Sequence, residues 1–117
     1  MTRDEILNME AGREMDALIV EKMMGEPYPS RFDHPKWWGL RYDMGREVWE
    51  PKLFSATIKM AWEVVEKFQS FELEMDYPGA WRASVNFAGD PAWYSANAET
   101  APLAICRASL LAKLEEI

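Results

Sequence analysis

The sequence predicts a small α+β domain in which three amphipathic helices are layered against a small antiparallel sheet. Three observations carry this expectation. Apolar residues recur at helical spacing in three places. Two adjacent stretches alternate strictly between apolar and polar residues across a short turn. The chain has 117 residues, 49% of them apolar, which suits one domain with one core. A chain of this size buries roughly 65% of its unfolded surface, so a core can hold it without staples.

Thr2 and Glu5 have the spacing of a capping box and open a short helical turn. The main first helix then runs from about Ala11 to Met24, with Met15, Leu18, Ile19 and Met23 as its apolar stripe. Gly25 supplies a left-handed stop, and Pro27 and Pro29 prevent the helix from resuming. Ser55 is placed to cap a second helix over about Ala56 to Gln69, whose stripe is Ile58, Ala61, Trp62, Val65 and Phe68. Thr100 caps the last helix, about Ala101 to Glu115. Pro102 sits in its first turn, and Leu103, Cys106, Leu110 and Leu114 fall at spacings of three and four.

The strands follow from alternation. Phe71, Leu73 and Met75 share one face and Glu72, Glu74 and Asp76 the other. After the turn Tyr77-Pro78-Gly79-Ala80, the residues Trp81, Ala83, Val85 and Phe87 alternate with Arg82, Ser84 and Asn86. So short a connection makes the pair antiparallel. Ala92–Ala96 forms a third short strand after the turn Gly89-Asp90-Pro91. The carboxylate row argues that part of the sheet's second face is wet. Residues 26–54 are rich in proline and tryptophan and read in two ways. They form either a long loop or a hairpin around Asp43-Met44-Gly45-Arg46, with the glycine at a positive-φ turn position.

Composition excludes several function classes. Cys106 is the only cysteine and His34 the only histidine, so an internal disulfide and a four-ligand Cys/His zinc site are both ruled out within one chain. The single cysteine suits a reducing compartment. No stretch approaches a membrane span or reads as a signal peptide, and the expected location is the cytoplasm of a bacterium, infected or not. Net charge is −7, which argues against broad binding to DNA. The charge is uneven. Residues 31–52 carry Arg31, Lys36, Arg41, Arg46 and Lys52 against Asp33, Asp43, Glu47 and Glu50, a net +1, and the rest of the chain is −8.

Three blocks resemble a known family. The run Met9-Glu10-Ala11-Gly12-Arg13-Glu14-Met15-Asp16-Ala17-Leu18-Ile19-Val20-Glu21-Lys22-Met23-Met24-Gly25 is similar to the opening signature of the phage ABA-sandwich domain. Ala61-Trp62-Glu63-Val64-Val65-Glu66-Lys67 resembles its central helix. Glu99-Thr100-Ala101-Pro102-Leu103-Ala104-Ile105-Cys106-Arg107-Ala108 resembles its C-terminal signature. The blocks occur in order and span the chain, while 26–54 and 70–97 match less well. The resemblance implies a layered α/β/α sandwich and a phage or prophage origin. It transfers no catalytic residues. The shared blocks also have structural readings: Ala-Gly for close helix approach, Trp62 as core filling, and Glu-Thr-Ala-Pro as helix capping.

The chemistry-bearing residues form no catalytic constellation. Cys106 falls on an apolar helix face, where a cysteine is an inert core residue. Asp33 beside His34 has the form of an oriented imidazole, but Pro35 makes the segment extended, and two groups specify no metal. Glu72, Glu74 and Asp76 read as a solvated sheet face. No phosphate loop or Ser/His/Asp set is present. The expectation is therefore a protein that is not an enzyme and needs no cofactor.

The informative excess is aromatic. Six residues are tryptophan. Trp37, Trp38 and Trp49 lie with Tyr28, Phe32 and Tyr42 among Arg31, Lys36, Arg41 and Arg46, and Trp93 and Tyr94 precede the last helix. Rings interleaved with arginine suit binding hot spots and a nucleobase stacked on a ring with its phosphate on a guanidinium. The candidate ligand-binding residues are Trp37, Trp38, Arg41, Tyr42, Arg46, Trp49, Trp93 and Tyr94. The opposing reading is that these rings close the core under a long loop. The functional expectation is a phage accessory protein that binds a small anionic ligand, such as a nucleotide signal of bacterial antiviral defence. The alternatives are a protein–protein module, as a homo-oligomer or a host-factor binder, and an acidic mimic of nucleic acid.

Overall fold

A computed structural model describes residues 1–30 and 33–114. It contains four helices and two antiparallel sheets. The helices are α1 (Arg3–Asn8), α2 (Arg13–Lys22), α3 (Ile58–Val65) and α4 (Ala101–Ala112). The first sheet is a two-stranded hairpin of β1 (Trp38–Asp43) and β2 (Arg46–Pro51). The second has the order β3-β4-β5, from β3 (Ser70–Tyr77), β4 (Ala80–Asn86) and β5 (Tyr94–Ala98). The α+β class stands, but the described residues form one helix and one sheet more than expected. The Thr2–Glu5 capping box is complete in both directions and stabilises a separate helix rather than a single turn. Within the irregular segment, Trp38–Asp43 and Arg46–Pro51 form a hairpin.

Helix α4 is the centre of the molecule. It packs on β4 and β5 and contacts α1, α2 and α3. Every residue from Leu103 to Leu111 is buried, so its apolar stripe widens to the full circumference, as for a helix enclosed on all sides. Thr100 caps it as expected, its hydroxyl accepting from the Leu103 N–H. Glu115, the expected end of this helix, lies outside the described residues. The helices cover the face of the second sheet that carries Val85, Ala83 and Ala96. The opposite face presents Glu72, Glu74, Asp76, Arg82, Ser95 and Asn97 to solvent, as the carboxylate row predicted.

Two buried polar groups tie the layers. Asp16 is buried within α2, and its Oδ1 accepts both the N–H and the hydroxyl of Ser55 at 2.7 Å. Ser55 Oγ in turn accepts the N–H of Gly12 at 3.0 Å. Ser55 is thus a core connector rather than a cap, and Thr57 caps α3, which starts two residues later than expected. Gly12, the N-cap of α2, has φ 154° and ψ −167°, a region essentially restricted to glycine. A Cβ there would meet nothing within 4 Å. The signature glycine is therefore required by backbone conformation, not by close helix approach. In α4, Arg107 is buried and donates from Nε and Nη2 to the Met9 carbonyl (3.1 and 2.9 Å) and from Nη1 to the Asn97 carbonyl (2.9 Å). One guanidinium so joins the α1–α2 connection, β5 and α4.

Trp62 departs from its expected role. It is 48% exposed and Ile58 49%, because α3 turns Ala61, Val64 and Val65 toward the core. The Trp62 ring instead rests edge-on against Phe71, with centroids 5.5 Å apart.

Candidate functional site

The hairpin projects from the body as an arm. Its turn has positive φ at both Met44 (50°) and Gly45 (78°), the geometry whose twist matches two antiparallel strands. Register runs from Trp38↔Pro51 to Asp43↔Arg46. Only the root pair is buried. Beyond it, β1 is exposed from Leu40 onward.

The root is held by ordinary core chemistry. Trp38 is 3% exposed. Its ring meets Tyr28 edge-on at 5.2 Å, and its Nε1 donates to the Glu26 carbonyl at 3.1 Å. The Glu26 carboxylate accepts the N–H groups of Lys36 (3.0 Å) and Trp37 (2.7 Å). The Trp37 ring packs on Phe54 at 5.6 Å, with Lys36 Nζ 4.8 Å from its centroid. Trp49 is half-buried, and its N–H donates to the Tyr28 hydroxyl at 3.3 Å. Trp38 therefore offers no ring face to a ligand in a single copy, and Trp37 and Trp49 offer part of one.

Further out the arm is polar and open. Arg41 donates from Nε and Nη2 to Glu50 Oε1 (3.1 and 2.7 Å). The other oxygen of Glu50 lies 3.4 Å from Arg13 Nε, so one carboxylate bridges the arm to the start of α2. Tyr42 is 68% exposed, with its hydroxyl 3.5 Å from Glu47 Oε1. Arg46 is exposed and forms no ion pair with the described residues. It lines a shallow hollow with Asp43 and Met44 at the tip. Arg31 and Phe32, also counted among the rings and cations of this segment, lie outside the described residues.

Trp93 and Tyr94 stand apart, at the start of β5 in the other sheet. Trp93 is 48% exposed. With Arg3, Ser95, Leu111 and Leu114, the two rings line a groove of about 300 Å³ between β5, α1 and the end of α4. The Tyr94 hydroxyl reaches Asp90 Oδ2 at 3.4 Å. A neighbouring hollow of about 430 Å³ adds Phe87, Asp90 and Lys113. The eight candidate residues thus occupy two places, an arm and a groove. Arg3 was missed because it sits in the short first helix, far in sequence from any ring.

The remaining reactive groups have structural surroundings. Asp33 Oδ2 accepts the Ser30 N–H at 2.7 Å, which commits the carboxylate to a turn rather than to His34. Cys106 is fully buried, and burial, reinforced by the Asp16 charge, pushes its thiol pKa well above the ordinary value. A thiol so held does not supply thiolate near neutral pH. Burial also raises the Asp16 carboxyl, although its bonds from Ser55 oppose the shift. On the sheet's open face Glu74 pairs with Arg82. Among the described residues, no group of three His, Cys, Asp or Glu side chains is placed to hold a metal ion. No helix there is long and apolar enough to cross a membrane.

This arrangement, a buried central helix between a three-stranded sheet and three shorter helices with a projecting hairpin, defines a small mixed α+β domain. Residues 16–110 match the phage ABA sandwich domain, and the chain belongs to that family. The fold is also similar to the crystal structure of a phage protein from Bacillus cereus ATCC 14579. The TM-score is 0.60 at 30% identity, covering 88% of this chain and 92% of that one. No curated protein matches the sequence.

Proposed function

We propose that this chain is a non-enzymatic phage accessory protein that acts in the host cytoplasm by capturing a small anionic ligand, with a nucleotide signal of antiviral defence as the specific candidate. The observation that supports this reading is the arm, where the open ring of Tyr42 stands on the same hairpin as the exposed Arg46, which forms no ion pair with the described residues. An accessible ring and a guanidinium are the two groups a nucleotide needs. A stacked base is worth about 1–3 kcal/mol, whereas micromolar affinity needs about 8 kcal/mol. One ring and one arginine fall short, so the groove of Trp93, Tyr94 and Arg3 must contribute, either as the main pocket or across a contact between copies.

Calorimetry against a panel of cyclic and ADP-ribose-type nucleotides tests this. Binding in the micromolar range, weakened at least tenfold by Arg46→Ala or Trp93→Ala, is the expected result. Affinity no tighter than millimolar for the whole panel removes the proposal.

A second reading, an interaction module that pairs with another copy of itself, is favoured by a different observation. Leu40, Tyr42 and Met44 are all exposed on the arm, Met44 at 97%.

A further inference from the structure

Besides the arm and the Trp93 groove, a further apolar surface is exposed among the described residues. It lies where α3 overhangs the outer strand of the second sheet. Ile58 and Trp62 are one turn apart on α3 and half exposed. Trp62 touches Phe71, and Phe71, Leu73 and Met75 follow one another along a single face of β3. Met75 is 51% exposed and pairs across to Trp81. Strand β3 ends its sheet, and β1 ends the hairpin, so each has an unpaired backbone edge. An unpaired edge beside an apolar row is a template for adding a strand.

We propose that the β1 edge of the arm adds to the β3 edge of a second copy of this chain. The alternation of the two strands agrees. In β1, Leu40 and Tyr42 share one face while Arg41 lies on the other, with Arg46 brought to the same face by its pairing with Asp43. In β3, Phe71, Leu73 and Met75 share one face and Glu72 and Glu74 the other, with Asp76 at the register irregularity between Met75 and Tyr77. Set side by side, apolar meets apolar and arginine meets carboxylate. The charges are available for it: Arg46 on the arm, and Glu72 and Asp76 on β3, form no ion pair with the described residues. The competing pairing of β3 with its own copy is disfavoured, because it sets two rows of carboxylates against each other.

Rings of this kind bury about 150–250 Å² each. Leu40, Tyr42 and Met44 on one side and Ile58, Trp62 and Met75 on the other are partly covered already, so alone they fall short of the roughly 800 Å² per partner of a standard interface, and the paired strand backbones and flanking charged side chains must supply the rest. The contact joins two different surfaces, so it closes by reciprocal exchange in a dimer or by forming a ring. This inference rests on the interaction-module reading and competes with ligand capture on the arm, because both use Tyr42 and Arg46.

Light scattering and sedimentation of the full chain test it. The parent protein is expected to show a mass that is a multiple of the monomer and falls on dilution. The arm variant Leu40→Glu with Tyr42→Glu and the surface variants Trp62→Glu and Glu72→Lys should each lower that mass or weaken assembly at least tenfold, with far-ultraviolet circular dichroism unchanged. Glu72→Lys lies on an exposed face, so its effect does not depend on refolding the patch. Mixing the arm variant with the Trp62→Glu variant should restore a species of two chains, since one intact arm still meets one intact edge. A monomeric parent at all concentrations overturns both this inference and the interaction-module reading. An oligomer whose mass is unmoved by these variants, or variants that fail to rescue each other, overturns this inference alone and leaves assembly through another surface.

Discussion

Replacing Trp38 by alanine separates a core role from a ligand-facing one. The ring is almost wholly enclosed at the root of the arm, edge-on to Tyr28, with its indole N–H on the Glu26 carbonyl. Truncating a large aromatic in such a place costs about 3–5 kcal/mol from lost burial and the cavity left behind. At about 4 °C per kcal/mol for a domain of this size, the melting temperature should fall by about 12–20 °C. Trp38→Phe keeps a ring against Tyr28 but leaves the Glu26 carbonyl without its donor, a loss of about 1–3 kcal/mol. Trp93→Ala, at a half-exposed position, should cost about 1 kcal/mol or less, as surface changes do. The assay is thermal and urea unfolding followed by circular dichroism. If Trp38→Ala melts within about 4 °C of the parent, equivalent to about 1 kcal/mol, the ring does not anchor the arm and the account of the root is wrong.

Three other positions give independent checks. Burial holds the Asp16 carboxyl above its ordinary pKa of 3.8, against the pull of the Ser55 bonds. The folded state therefore keeps a proton that the unfolded chain has released. Stability should fall as pH rises from the unfolded value through the raised one and then level off. Asp16→Asn should abolish that fall in urea titrations, and a pH-independent difference between the two proteins would refute the assignment. Ser55→Ala strands the Gly12 N–H and removes one of the bonds to Asp16; a loss of about 1–3 kcal/mol is expected, with the Asp16 carboxyl pushed higher still in carbon-detected titration. Arg107→Met leaves the buried Met9 carbonyl without its donors, at about 1–3 kcal/mol, and removes a part-buried bond to the Asn97 carbonyl; the loss is measured by urea midpoint. Cys106 should resist thiol reagents in the folded protein and react only at the rate of unfolding; rapid labelling under native conditions would show that the centre of α4 is open.

The elements themselves were legible because each rests on local chemistry. The Thr2–Glu5 box, the Thr100 cap and the alternation of 71–76 with 81–87 depend on neighbours a few residues away, and all three appear where the pattern put them. The third strand lies at Tyr94–Ala98 rather than Ala92–Ala96, because Asn86 ties down the preceding loop by donating to the Asp90 and Ala92 carbonyls. Spacing alone misjudged α3. Ile58 and Trp62 share a helical stripe with Ala61 and Val65, but a stripe does not say how much of its width a neighbour will cover. Likewise Ser55 read as a helix cap, and no local pattern marked Asp16 or Arg107 as buried connectors, since their partners are 39 and 98 positions away.

Sequence by itself determined the α+β class of this protein and its family, both properties of composition and short-range order. Tertiary structure alone decided which aromatic rings face water. It sent Trp38 into the core, left Tyr42 and Trp93 open, and separated the arm from the β5 groove. The physical reason is that a ring's burial depends on what the distant parts of the chain bring to its other face, and no local pattern records that.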